Sequence, residues 1–250
     1  MEQEKIISVK HAKKYYQLPS KNPFQRQKDY IKAVDDVSFD VYQGETFGIV
    51  GESGSGKSTM ARLINRLITP TEGQIYYQDL ELSTASANQL KDYRKQVQMV
   101  FQSPYGTLDP RKTIEYSLIE TFVIHEVGSK QERLERIYHL LDLVNLSKTA
   151  LNKYPHEFSG GQLQRINIAR AITLEPKVLI CDESVSALDV SVQAQILNLL
   201  NELQEELKLT YVFISHDLNV VRYMCDRIAV MNQGKIVEPT RLKPKLIHHR

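Results

Sequence analysis

Gly51, Glu52, Ser53, Gly54, Ser55, Gly56, Lys57 and Ser58 follow one another in this 250-residue chain, with Thr59 next. Their types and spacing fit one kind of chemistry, the holding of phosphate groups. Glycines let the backbone curl with its N–H groups turned inward, where they can donate to phosphate oxygens. Lys57 is long enough to reach outer phosphates, and the Ser58 hydroxyl suits Mg²⁺. The apolar-rich run Thr46 to Val50 leads in. Met60, Leu63, Ile64 and Leu67 lead out at i, i+3, i+4 and i+7, which predicts a helix. Strand, glycine loop and helix is the order a GxxxxGK[ST] phosphate loop requires. The helix start adds partial positive charge at the same spot.

Two further clusters fit the same chemistry. The apolar run Val178 to Cys181 ends in Asp182 and Glu183. A carboxylate pair at the C-terminal end of a parallel strand sits where α/β sheets place ligands. Asp182 suits Mg²⁺, through a coordinated water, and Glu183 suits a general base that polarises an attacking water. The second cluster, Ser159-Gly160-Gly161-Gln162, opens another helical stretch and repeats the anion-binding logic of the first. By itself it reads equally as a helix cap. Two such ends imply either two bound anions or one anion shared with another copy, and the residues alone leave both open.

The elements that must position these groups are legible as short apolar runs. Phe47 to Val50, Val97 to Phe101, Val178 to Cys181, Tyr211 to Ile214 and Ile228 to Met231 are continuous rather than alternating. That pattern predicts strands of a parallel sheet covered by helices, the α/β class. Val192, Ile196, Leu199, Leu200, Leu203 and Leu207 predict one helix face, and Leu134, Ile137, Leu141 and Val144 another. Ile6 to Val9 and Val34 to Val41 read as antiparallel strands. The polar, proline-interrupted stretch Gln17 to Lys32 between them reads as a loop. Residues 103–173 read as an inserted helical block, and the basic tail 241–250 as a solvated end.

Bulk properties set the remaining bounds. A formal net charge of +2 points to no particular partner. No stretch approaches the ~20 apolar residues of a membrane span, and the N-terminus lacks the apolar core of a secretory signal. Cys181 and Cys225 fit neither a disulfide framework nor a metal-ligand spacing, which is consistent with a reducing, cytoplasmic setting. Cys181, inside an apolar run, reads as a buried core thiol.

The full set is more specific than its parts. The phosphate loop, Gln102 after an apolar strand, Ser159 to Gln162, Asp182-Glu183, Ser186-Ala187-Leu188-Asp189 and His216 occur in one order. Over about Ile6 to Val237 the chain resembles the ATP-binding subunit of ABC transporters. Its finer wording, including Phe101-Gln102-Ser103-Pro104, Leu108-Asp109-Pro110-Arg111 and Ser186 to Leu197, is similar to the F-type ATPase of oligopeptide and dipeptide importers. The resemblance implies a P-loop NTPase core with a mostly parallel sheet at 1–102 and 174–240. That core carries an N-terminal antiparallel β subdomain, and a helical subdomain is inserted at 103–173.

The same resemblance implies the roles of individual residues. Tyr16 would stack on adenine, with Tyr15 as its rival. Gln102 would touch Mg²⁺ or the attacking water and respond to the membrane partner. Ser159, Gly160, Gly161 and Gln162 would close over ATP held by an opposing subunit. Asp189 would lie at that interface, and His216 would hydrogen-bond the γ-phosphate and Glu183. The implied cofactors are ATP and Mg²⁺. The implied partners are a second ATPase, either a homologous D-type subunit or another copy, and two membrane permeases. An extracellular binding protein would act indirectly, nucleic acid would play no part, and the chain would sit at the cytoplasmic face of the membrane.

Departures and rival readings accompany these expectations. Ser184 stands where the family usually has proline, which frees Glu183 from the restriction proline imposes and predicts lower rigidity there. After Glu238 the family's usual continuation is replaced by Pro239 to Arg250. The resembled family leaves other cargo open, nickel or other metal chelates included. An ABC-type ATPase acting on nucleic acid, or a subunit that binds ATP without turnover, are the alternatives from other classes. The first lacks a basic stripe to support it, and intact Glu183, His216 and Ser159 argue against the second.

Overall fold

The structure, a computed structural model, describes residues 4–18 and 29–242. Most of the expected loop at 17–32 and most of the basic tail therefore lie outside the described residues. The chain begins with β1 (Lys5–Gln17), β2 (Tyr30–Tyr42), β3 (Thr46–Val50), α1 (Lys57–Ile64), β4 (Glu72–Tyr77), β5 (Leu80–Glu81) and α2 (Ala87–Gln96). It continues through β6 (Val97–Val100), α3 (Ile114–Ile124), α4 (Lys130–Leu143), α5 (Gly160–Ile172), β7 (Val178–Asp182) and α6 (Val190–Leu207). β8 (Thr210–Ser215), α7 (Leu218–Met224), β9 (Arg227–Asn232) and β10 (Lys235–Arg241) follow. These residues form two compact units, one up to Leu90 and from Val212 onward, the other Lys91–Tyr211. The chain passes between them inside α2 and inside β8.

The first unit holds two groups of strands. One runs β2-β1-β4-β5 and is antiparallel throughout. The other contains β10-β9-β3-β8, with β3 parallel to β9 and β10 antiparallel to it. β3 is buried at every residue, as its unbroken apolar run predicts for a strand covered on both faces. Here Phe39 stacks on Phe47 with ring centres 5.0 Å apart. The Arg227 guanidinium lies 5.1 Å from the Phe47 ring centre and 4.9 Å from that of Tyr42. The same guanidinium donates to Glu45 Oε1 at 2.8 Å. Burial pushes the Glu45 carboxyl up, while the Tyr42 amide and Arg227 oppose the shift.

Three expectations in this unit need correction. β1 and β2 are far longer than Ile6 to Val9 and Val34 to Val41. Their pairing shifts register between Val9 and Ala12, and His11 and Asp36 adopt left-handed backbone at φ 49° and 60°. Such bulges break the period-2 pattern, so the readable alternation stops before the strand does. The pairing extends to Tyr16 opposite Ile31 and Gln17 opposite Tyr30, so both ends of the expected loop are strand. Leu67 does not continue the face of α1. The helix stops at Ile64, Arg66 turns left-handed at φ 57°, and Leu67 is exposed.

The second unit contains the helical run together with the parallel pair β6 and β7, in which Val97 faces Val178. Residues 103–173 lie wholly within it. Its helix starts follow the capping rules: Thr113 caps α3, and Ser129 and Glu132 form a capping box on α4. Ile137, Leu141 and Val144 of the expected stripe are buried and Leu134 half-buried, with Leu140 added. On α6, Ile196, Leu199, Leu200 and Leu203 are buried, while Val192 and Leu207 are half-buried.

Phe47 is the tightest test of the first unit, because its ring sits between an aromatic neighbour and a guanidinium. Phe47→Ala should lower stability by about 3–5 kcal/mol. Urea unfolding should show a lower midpoint with an unchanged slope.

Candidate functional site

In the first unit, the loop between β3 and α1 is formed by close backbone approach. A Cβ on Gly51 would lie 2.0 Å from the Met231 carbonyl oxygen. One on Gly56 would lie 2.1 Å from the Ala33 carbonyl oxygen, and Gly56 is left-handed at φ 106°. Only glycine fits either position. Lys57 is 4% exposed, and its ammonium folds over the loop to donate to the Gly51 and Glu52 carbonyls at 2.9 and 2.8 Å. No side chain caps α1, so the N–H groups of its first turn take no partner from a capping residue. Ser55 Oγ is buried and has no hydrogen-bond partner. A buried orphan hydroxyl beside an uncapped helix start and an ammonium is the donor set an anion requires, and it fits a phosphate chain.

The tyrosines at the end of β1 differ in their freedom. Tyr15 is tied down, its hydroxyl donating to Asp35 Oδ1 at 2.5 Å and the Lys32 ammonium lying 5.3 Å from its ring centre. The Tyr15 hydrogen bond holds the Asp35 carboxyl below its usual range. Tyr16 is 40% exposed, which excludes a core role, and the Lys14 ammonium sits 5.3 Å from its ring centre. His216 is exposed directly after Ser215, the last residue of β8.

In the second unit, β7 delivers Asp182 and Glu183 at its C-terminal end. Asp182 is 6% exposed and Glu183 half-buried. Gln102 Nε2 donates to Glu183 Oε2 at 2.9 Å. The structure thus joins two expected site residues through a bond that no spacing in the sequence announces, 81 positions apart. Glu183 is left-handed at φ 47°, away from the extended range that a following proline imposes. Ser184 is buried, and its Oγ lies beside the Cys181 thiol without an ordinary hydrogen bond.

Ser159 caps α5, its Oγ accepting from the Gln162 amide while Gln162 Oε1 accepts from the Ser159 amide at 3.1 Å. Both side chains are exposed. Gly161 is packed against α6, where a Cβ would fall 2.4 Å from Val192 Cγ1. Asp189 caps α6, accepting from the Val192 amide at 3.0 Å and the Ser191 hydroxyl at 2.8 Å. The Val192 amide bond, with the Ser191 hydroxyl, lowers its carboxyl pKa. Sequence reasoning missed both this cap and the Gln102 bond. The Asp189-Val190-Ser191-Val192 spacing carries a signal for the cap, since Asp before an apolar-periodic run is a helix start.

The ABC transporter family model matches residues 34–186. The oligopeptide transport ATP-binding protein AppF of Bacillus subtilis is 53% identical over 239 residues, covering 95% of this chain and 72% of that protein. OppF of the same organism, also an oligopeptide transport ATP-binding protein, is 48% identical across 94% of this chain and 75% of its own length. A putative peptide import ATP-binding protein of Brucella ovis is 49% identical across 95% of this chain and 73% of its own length. Among solved structures, the dimeric post-hydrolysis state of the ATP-binding cassette MJ0796, bound to ADP and Pi, superposes with a TM-score of 0.83. It is 30% identical and covers 96% of this chain and 100% of that one.

The end of β7 offers a direct chemical test. Burial pushes the Cys181 thiol up to about 12, and Cys225 is also buried. Thiolate is the reactive form. Iodoacetamide at about pH 8 should leave both cysteines unlabelled in the folded chain and label both in urea, as read by mass spectrometry. Native labelling of Cys181 would show that the strand bearing Asp182 opens.

Proposed function

The chain belongs to the ABC transporter family, and from that membership we propose that it is the ATP-hydrolysing subunit of an importer that takes up peptides. The observation that carries the reading is the Gly51–Gly56 loop. It feeds an uncapped helix start, with the Lys57 ammonium above it and an orphaned Ser55 hydroxyl within it. The peptide cargo is drawn from the names of AppF, OppF and the Brucella relative.

In this reading the loop amides of Glu52 to Ser58 and Thr59 donate to the phosphate oxygens. Lys57 leaves the Gly51 and Glu52 carbonyls to take the outer phosphates. Tyr16 offers its exposed ring to adenine. Ser58 would supply a hard oxygen donor of the kind Mg²⁺ prefers, with Gln102 as a further ligand and Asp182 acting through a coordinated water. When bound, that ion neutralises charge on the phosphates. Glu183 accepts a proton from water as the water oxygen bonds to the γ-phosphorus. The bond from that phosphorus to the β,γ-bridging oxygen breaks, and ADP and phosphate leave. The Gln102 amide holds one Glu183 oxygen, so it positions the base, and His216 steadies the γ-phosphate.

Ser159 to Gln162 and Asp189 contact ATP held by a second ATPase subunit, either a homologous chain or another copy. ATP then draws two subunits together and hydrolysis releases them. The helical subdomain at 103–173 receives a helix from one of two membrane permeases, and an external binding protein delivers cargo. No helix among the described residues is long and apolar enough to cross a membrane. In the proposed importer the chain is a peripheral subunit on the cytoplasmic face of the membrane.

Glu183→Gln should bind Mg²⁺–ATP with near-unchanged affinity and hydrolyse it about 100- to 10,000-fold more slowly. Lys57→Ala should lose ATP binding itself. Phosphate release and fluorescent-nucleotide titration separate the two effects, and wild-type turnover in Glu183→Gln would refute the assignment of the base.

A further inference from the structure

α5 presents a buried polar face. Asn167, 6% exposed, donates from Nδ2 to the Pro104 carbonyl at 3.1 Å. Its Oδ1 accepts from the Thr107 hydroxyl at 2.7 Å. One turn further on, Arg170 donates to the Thr107 carbonyl at 2.5 Å. Together they clamp the 3-10 turn Tyr105–Thr107, which follows Gln102 and hence the bond to Glu183. One turn the other way, toward Gly161, stands Gln164. Residues three apart on a helix are surface neighbours, so Gln164 adjoins Asn167. It is 0% exposed, and neither its Oε1 nor its Nε2 has a hydrogen-bond partner.

A side-chain amide brings two donors and an acceptor oxygen. Leaving all of them without a protein partner in the interior is costly, and native structures hold few such groups. Packing alone would be served at lower cost by leucine or methionine. A second state in which its amide is used would explain the residue. A slide of three helical residues, ~4.5 Å, would carry Asn167's partners to Gln164. Packed elements do shift between discrete seats of this kind.

We propose that Gln164 is a positioning residue, the alternate seat for the Pro104–Thr107 turn when α5 moves on ATP-driven closure. This deepens the ATPase reading and rests on it. The start of α5, Ser159 to Gln162, senses nucleotide. Gln164 passes that displacement to the turn, and the turn moves Gln102 off or onto Glu183. Closure and activation of the base become one event.

Gln164→Met keeps size and removes the amide. In the 250-residue chain it should leave the melting temperature equal or higher, while kcat for ATP falls about tenfold and KM stays within ~twofold. Hydrogen exchange adds a readout that a structural role would not move. In the wild type, peptides spanning 102–107 and 160–166 should change protection together on adding Mg²⁺ and a non-hydrolysable ATP analogue. In Gln164→Met that joint change should be lost. Unchanged kcat, or a lost kcat accompanied by a lowered melting temperature, would overturn the proposal. If neither Gln164→Met nor Gln164→Leu folds, the wild-type exchange decides, and independent responses of the two peptides reject it. A wild-type chain that hydrolyses no ATP fails the ATPase reading instead, a separate result.

Discussion

Everything at the proposed phosphate loop depends on how closely backbone passes backbone. Gly51 presses on the Met231 carbonyl of β9 and Gly56 on the Ala33 carbonyl of β2, at distances no side chain tolerates. Those two approaches anchor the loop at both ends, so the shape of the cradle is set by strands rather than by the loop's own preferences. Lys57 then neutralises the inward carbonyls of Gly51 and Glu52. The backbone of the loop is held in shape before any ligand arrives, and a preorganised backbone loses little on binding, whereas Lys57 would first have to release those carbonyls.

The second unit is organised around a different constraint, the placing of side chains by helix starts. Thr113, Ser129, Ser159 and Asp189 each satisfy the amides that open a helix. Two of them, Ser159 and Asp189, are also residues that the proposed function places at a subunit interface. Capping and recognition draw on the same exposed oxygens. The Ser159 oxygen accepts from the Gln162 amide, and its proton remains able to donate to a ligand phosphate, so one hydroxyl can serve cap and ligand together.

The phosphate loop, the Asp182-Glu183 pair and five core strands were legible because each is local. A glycine spacing or an unbroken apolar run carries its own physical meaning. What escaped was relational. The reach of β1 and β2 was hidden by bulges at His11 and Asp36, which interrupt the alternation without ending the strands. β4 escaped because Glu72 to Tyr77 carries neither an unbroken apolar run nor a clear alternation. α2 escaped because only Tyr93 is buried on it. The Gln102 bond to Glu183 and the orphaned Gln164 amide depend on residues brought together by the fold, and a linear pattern has no place to record them.

The irregular pairing along β1 has a consequence for the two adjacent tyrosines. Its register shifts three times between Val9 and Tyr15, and the shift next to Tyr15 fixes which ring is moored to Asp35 and which faces outward. Neighbouring residues on a strand point to opposite sides. The loss of one residue in that short interval would move Tyr16 into the anchored place of Tyr15, and the gain of one would move Tyr15 into the outward place of Tyr16. A single-codon insertion could thus bring a different tyrosine to the position where the proposed function places adenine stacking, with the aromatic pair itself untouched.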